Sequence, residues 1–411
     1  MGTFKGIPLW ILPLFLGQLN AQLYIEEIEG SSSGEYLIHE TIQNHTLSFI
    51  PAVYPTPVVK AINKAHNNKV CSTWGNFNFK NFDGDVFRFP GTCNYVFSSH
   101  CKSDYEDFNI QIQRSITSSI LVISKITMKI NGLVVQVIEN NVLVDGKVVQ
   151  LPYSGLGVQI EKRDVSLKVS SKLGLVLMLN DDNSLMLELD EKYANQTCGL
   201  CGDYNGISIH NEFINHGVHI TETQFGNLQK LDGPTEQCQD VKPEPRRNCT
   251  RFENICENIL MGSAFLNCHS LVDVEQYMEA CVQDLCHCNS KMTSLCMCNT
   301  FAEYSRQCAH AGGQPRNWRT KEFCSARKCP LNMEYRECGS ACPNTCTNPE
   351  RAALCDSHCL EGCYCPKGTV FDDINNKGCI PVDMCPCITA GEIYSSGESY
   401  STPCSTWQVH A

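Results

Sequence analysis

Cysteine constrains this chain more than any other residue. It accounts for 28 of 411 positions, and its spread is uneven. None precedes Cys71. Six fall between residues 71 and 240, ten between Cys249 and Cys324, and ten between Cys329 and Cys385; Cys387 and Cys404 stand in the tail. Thiols at this density scramble or oxidise unless they are paired, so the chain belongs in an oxidising compartment.

The amino terminus agrees. Lys5 is followed by an apolar run from Ile7 to Leu16, then by small and polar residues up to Ala21. This reads as a signal peptide over residues 1–21, because a bilayer span needs roughly 20 apolar residues. Residues 22–68 are rich in Ser, Asn, Thr and Pro and read as a flexible leader. Asn44, Asn195 and Asn248 each begin an Asn-x-Ser/Thr acceptor for N-glycosylation in the lumen. Asn195 is crowded by the nearby Cys198. The formal net charge is −12 without a basic cluster, which argues against nucleic acid or anionic membrane as partners.

The fold class expected is mainly β, with small helical and disulfide-rich parts. Between Cys101 and Cys198 the chain must fold on an ordinary hydrophobic core. Leu133–Ile138 is a β-branched run, and Val142–Val149 turns at Asp145–Gly146. A second hairpin is expected where Asn180–Ser184 interrupts two apolar strands. These features predict a β-sandwich or barrel. Beyond Cys249 the period becomes helical: Val274, Tyr277, Met278 and Cys281 share a face, as do Phe301, Tyr304 and Cys308. The ten cysteines of residues 329–385 leave little room for a core, so bridges must replace it. Residues 386–411 read as the truncated start of a further module.

Three patterns could carry chemistry. Asp203, Asn205 and the carbonyl of Ile207 place oxygens at alternate positions around Gly206, with Asn211 and Glu212 following. Calcium takes such hard oxygen ligands, although Asn-Gly and Asp-Gly also make plain turns. Cys198 and Cys201 form a CxxC, read as two structural bridges to distant partners rather than a redox pair in this β-rich setting. Met178 and Met186 are equidistant from the turn at Asp182, so they should face each other across a hairpin. Two thioethers together suit Cu(I), while methionines also simply fill cores. No GxSxG elbow, HExxH helix or Walker loop is present, and no enzyme is expected.

Longer motifs add a family. CSTWGNFNFKNFDGDVFRFPGTCNYVF (Cys71–Phe97) and CGLCGDYNG (Cys198–Gly206) resemble the two ends of a von Willebrand factor type D domain, here residues 69–240. The stretch with FAEYSRQCAHAGG (Phe301–Gly313) resembles the eight-cysteine module that follows it, residues 249–325. CPLNMEYREC and GCYCPKGTVFDD resemble a trypsin-inhibitor-like module, residues 329–385. That order is similar to the first D assembly of the gel-forming secreted mucins of airway and gastric type.

The resemblance implies the pairs Cys71–Cys201, Cys101–Cys198 and Cys93–Cys238, and adds Asp83 to the calcium ligands. It implies secretion into mucus, self-association with other D assemblies, and packing that depends on calcium and pH before disulfide-linked polymers form. It also implies copper through Met178, Met186, His310 and His358. Asn68 stands where a further His is expected, with His66 as a substitute, and Leu360 replaces a further Met. His66, His310 and His358 are candidate pH sensors. The sequence shows one D assembly and no Pro/Thr/Ser-rich tract. Two other functions compete: an extracellular copper-binding module, and a serine protease inhibitor acting through the trypsin-inhibitor-like module.

Overall fold

The structure is a computed structural model. It describes residues 21–27, 36–42 and 70–408, with gaps at 118–119, 140, 164, 208–210, 234–237, 245–246, 289–292, 355–357, 390 and 403–404. The signal-peptide residues before Ala21, as well as Asn44, His66 and Asn68, lie outside the described residues. Within the stretch expected as a flexible leader, Ala21–Glu27 pairs antiparallel with Tyr36–Ile42.

From Val70 onward two sheets face each other. The eight-stranded sheet begins with β1 (Val70–Trp74), β2 (Asn78–Lys80) and β3 (Val86–Arg88). The chain then enters the seven-stranded sheet through β4 (Asn94–His100), β5 (Phe108–Thr117), β6 (Ile120–Ile130), β7 (Leu133–Ile138), β8 (Asn141–Val144) and β9 (Lys147–Val148). It returns through β10 (Tyr153–Gly155), β11 (Val158–Lys162), β12 (Ser166–Ser171), β13 (Leu175–Asn180) and β14 (Leu185–Leu189). Finally β15 (Thr197–Cys198) closes the seven-stranded sheet against β4. The strand orders are β9-β8-β7-β6-β5-β4-β15 and β10-β11-β12-β13-β14-β1-β2-β3.

Local chemistry sets the hairpins. Asp145 and Gly146 both take positive φ, as a two-residue turn with the right twist demands. At the other expected hairpin Asp182 caps the turn, accepting hydrogen bonds from the Ser184 backbone N–H and hydroxyl. Register then divides the side chains. Leu175, Leu177, Leu185 and Leu187 join the core between the sheets. Met178 and Met186 pair directly across β13 and β14 and point to the opposite face.

That outer face is covered by the other two modules. The helical one contains α1 (Glu253–Leu260), α2 (Val274–His287) and α3 (Thr293–His310). Asp273 caps α2 through the Glu275 N–H. Trp74 of β1 belongs to this helical core rather than to the sandwich. It stacks on Tyr277 at 5.6 Å and donates its Nε1–H to Thr300 Oγ1. Asp284 of α2, fully buried, accepts from Thr300, the Asn78 amide and the Asn76 N–H, tying helices to sheet.

The trypsin-inhibitor-like module has two small antiparallel pairs among its described residues, β16 (Glu334–Gly339) with β17 (Leu360–Tyr364) and β18 (Thr369–Phe371) with β19 (Cys379–Pro381). Bonds Cys329–Cys363, Cys338–Cys359, Cys346–Cys385 and Cys365–Cys379 brace it. Arg306 of α3 joins all three modules: it donates to Asp182 of the sandwich turn, Glu303 of its own helix and Glu361 of β17. Arg319 completes the junction through Glu337 of β16.

Candidate metal centres

Two clusters emerge, and both draw on residues far apart in sequence. The first lies where the β2–β3 loop of one sheet meets the loop after β15 of the other. One carboxylate oxygen from each of Asp83, Asp203 and Glu212 lies within 4.8 Å of the others. Cys201 is bonded to Cys71 and Cys198 to Cys101, so both cysteines of the CxxC hold this loop against distant strands. Cys93 is bonded to Cys238.

The loop shapes itself with its own side chains. Asp83 Oδ1 accepts the Gly206 N–H at 2.6 Å, Asn205 Oδ1 accepts that of Ile207, and Glu212 Oε1 accepts that of Asp203. Gly202 sits at φ +78° with the Glu212 carboxyl 2.9 Å from where a Cβ would stand, so glycine is required there. Three carboxylates this close repel. Burial first, and then the Asp203 charge, push Asp83 above the usual carboxylate range. Burial pushes Glu212 up to about 8. Lys102, 3.1 Å from Asp203, supplies one opposing charge.

Asp83 Oδ2 is buried without a hydrogen-bond partner. An orphaned hard oxygen beside two other carboxylates fits a divalent cation of the calcium type. Asp83, Asp203 and Glu212 would hold it. Asn205 lies beside them with its oxygen turned to Ile207, whose side chain is exposed. The side chain of Asn211 lies outside the described residues.

The second cluster lies under the outer face of β13 and β14. Met178 and Met186 pack with Val70, Val176 and Leu360. Next to them His358 Nε2 lies 2.8 Å from Nδ1 and 3.1 Å from Nε2 of His310, the last residue of α3. Glu188 completes a group with both imidazoles, one ligand atom from each of the three lying within 4.8 Å of the others. Glu188 is absent from the sequence-derived candidates. Its signal was present: it stands two residues after Met186 in the apolar strand LMLEL, and so shares its face. Imidazole and carboxylate suit Cu(II), and thioethers suit Cu(I), so the donor set fits either oxidation state.

The acceptor asparagines differ in setting. Asn195 is exposed, and its side-chain oxygen accepts from Lys102, while Thr197 is buried with its hydroxyl bonded to Gly202 O. Asn248 is exposed, and its oxygen accepts from the Thr250 hydroxyl.

Residues 71–217 match the profile of the von Willebrand factor type D domain, residues 255–325 that of the C8 domain, and residues 329–385 that of the Trypsin Inhibitor like cysteine rich domain. The chain is 50% identical over 414 residues, covering 98% of it, to Mucin-5AC of Homo sapiens. The chain is a D-assembly region of the gel-forming mucin family. This D assembly is also 54% identical over 360 residues (88% of it) to Mucin-5B and 44% identical over 342 residues (82%) to Mucin-2, both of Homo sapiens. It spans 7%, 6% and 6% of the length of those three relatives. Its family is secreted and extracellular.

Proposed function

We propose that this D assembly is a structural module of a mucus polymer, whose calcium- and pH-dependent packing prepares disulfide-linked assembly. The carboxylate trio at Asp83, Asp203 and Glu212 supports this reading most directly. A divalent cation there neutralises the repulsion and joins loops from opposite sheets. The disulfides bring the loops together, and the ion fixes their relative position.

Thermal unfolding with and without calcium tests it. Calcium at a hundredfold excess over its dissociation constant should add about 2.7 kcal/mol of stability. Asp83→Asn should remove that gain. An unchanged melting temperature on calcium addition, in the presence of an intact fold, contradicts the reading.

A second reading is favoured by the facing methionines and the adjoining Glu188–His310–His358 group: the same module binds copper. Imidazole and carboxylate would hold the oxidised ion and the thioethers the reduced one. Copper titration of the purified chain, monitored by Cu(II) absorbance and by Cu(I) competition with a chromogenic chelator, checks it. Absence of binding in both forms contradicts it.

A further inference from the structure

Asn195 is exposed, yet the acceptor triplet that it begins is closed. An N-glycan acceptor needs a hydroxyl two residues after the asparagine, so the transferring enzyme has to reach both side chains at once. Here Thr197 is 0% exposed, and its hydroxyl donates to Gly202 O at 2.9 Å. The backbone is equally committed. The Asn195 N–H donates to Tyr204 O, and Gln196 O accepts the N–H groups of Cys101 and Lys102. Thr197 pairs with His100 where β15 joins β4, and the next residue, Cys198, is bonded to Cys101. Asn248 differs: it and Thr250 are both exposed, and the Thr250 hydroxyl donates to the Asn248 oxygen within the triplet itself.

Three closures bury the Thr197 hydroxyl: strand pairing with β4, the Cys101–Cys198 bond, and the loop that carries Gly202, held by Cys71–Cys201. None leaves the triplet free to lie extended in an enzyme's groove. The folded surface nevertheless tolerates the product. Asn195 Oδ1 accepts from Lys102 Nζ at 2.8 Å, and a sugar on Nδ2 leaves that oxygen unchanged. Order of synthesis sharpens the conflict. Cys101 precedes Cys198 by 97 residues, and β4 precedes both. A chain folds from its N-terminal end as it emerges, at about 5–20 residues per second. When Thr197 and Cys198 appear, their partners are already waiting.

We infer that Asn195 is glycosylated only before β15 zips onto β4, so that glycan transfer and closure of Cys101–Cys198 compete for the same segment. The donor is an oligosaccharide carried on a polyprenyl pyrophosphate. Asn195 Nδ2 attacks the anomeric carbon of its first sugar. The C–N bond forms as the C–O bond to pyrophosphate breaks, one amide proton is lost, and the lipid pyrophosphate leaves. Nothing is oxidised or reduced. Where the strand closes first, the acceptor stays shut. Two forms of the same fold then result, with and without a glycan beside Lys102, which also bonds Asp203 of the carboxylate trio.

Expression of the full chain in secreting cells tests this, with and without dithiothreitol to hold the cysteines reduced during synthesis. Occupancy is read by mass spectrometry after enzymatic deglycosylation in heavy-oxygen water, which marks each formerly modified asparagine. Reductant should lower the unmodified fraction at Asn195 severalfold and move Asn248 far less. Cys101→Ser with Cys198→Ser should do the same without reductant. Transfer precedes folding, so occupancy can be read from cell lysate even where that variant does not fold. Equal Asn195 occupancy in all conditions, or a shift no larger than that at Asn248, overturns the inference. In a second arm, unmodified chain is incubated with solubilised transferase and lipid-linked donor. Folded, bridged chain should gain no sugar at Asn195, and chain reduced and unfolded should gain it. Transfer to both forms alike also overturns it.

Discussion

At the scale of single residues, the carboxylate centre is built from side chains that disfavour one another without an ion, whereas at the second centre the two imidazoles share a hydrogen bond and the methionines pack among aliphatic neighbours. Gly202 lets Glu212 approach the Asp203 backbone, and any Cβ there meets the carboxyl at 2.9 Å. Gly202→Ala should therefore cost about 1 kcal/mol or more through its positive φ. It should also weaken calcium binding, measured by isothermal titration. Met178→Val with Met186→Val should abolish Cu(I) binding, read by chelator competition, at a stability cost of about 1–3 kcal/mol for lost packing. Asp203 and Glu212 were legible from oxygen spacing, and Asp83 only from the family motif. The structure places Asp83 123 residues from its partner Gly206, a distance that no local pattern spans. Glu188 escaped because one acid in an apolar strand reads as a solvated position. Only the register that puts it beside Met186 and under α3 reveals its company.

At the scale of elements, hairpins were readable and module junctions were not. Turn chemistry is local: Asp145–Gly146 and Asn180–Ser184 fix their own geometry wherever the strands go. Trp74 lies in a strand buried on both faces, and its alternation does not say that one face serves the sandwich and the other the helices. The junction at Arg306 and Arg319 sets four carboxyls against two guanidiniums. Burial pushes Glu337 up to about 7, with Arg319 opposing the shift. A carboxyl raised in the folded state keeps a proton that the unfolded chain has released. Its contribution is fully present below the ordinary value of 4.5 and is lost as pH rises to about 7. Asp284 behaves alike: burial pushes it up to about 7 against three hydrogen bonds. Glu337→Gln should remove up to about 3 kcal/mol of the stability difference between those pH values. Denaturant unfolding of wild type and variant across that range checks it, and an identical pH slope in both refutes it.

At the scale of the whole molecule, covalent bonds do what a core cannot do in the smallest module, and they bring the Asp203 loop to its partner in the largest. Cysteine density alone made a secreted, cross-linked chain legible. The individual pairs came only from family resemblance, since six cysteines allow 15 connectivities. Long loops closed in this way stabilise by roughly 3–5 kcal/mol each in the chain-entropy picture. On the proposed function, ions and protons act at the seams of the resulting frame. Sedimentation velocity of the exported chain tests that claim most directly, comparing mildly acidic buffer containing calcium with neutral buffer containing a chelator. The account predicts a compact form that self-associates in the first condition and a more extended, non-associating form in the second. A single species with the same sedimentation coefficient in both would contradict it.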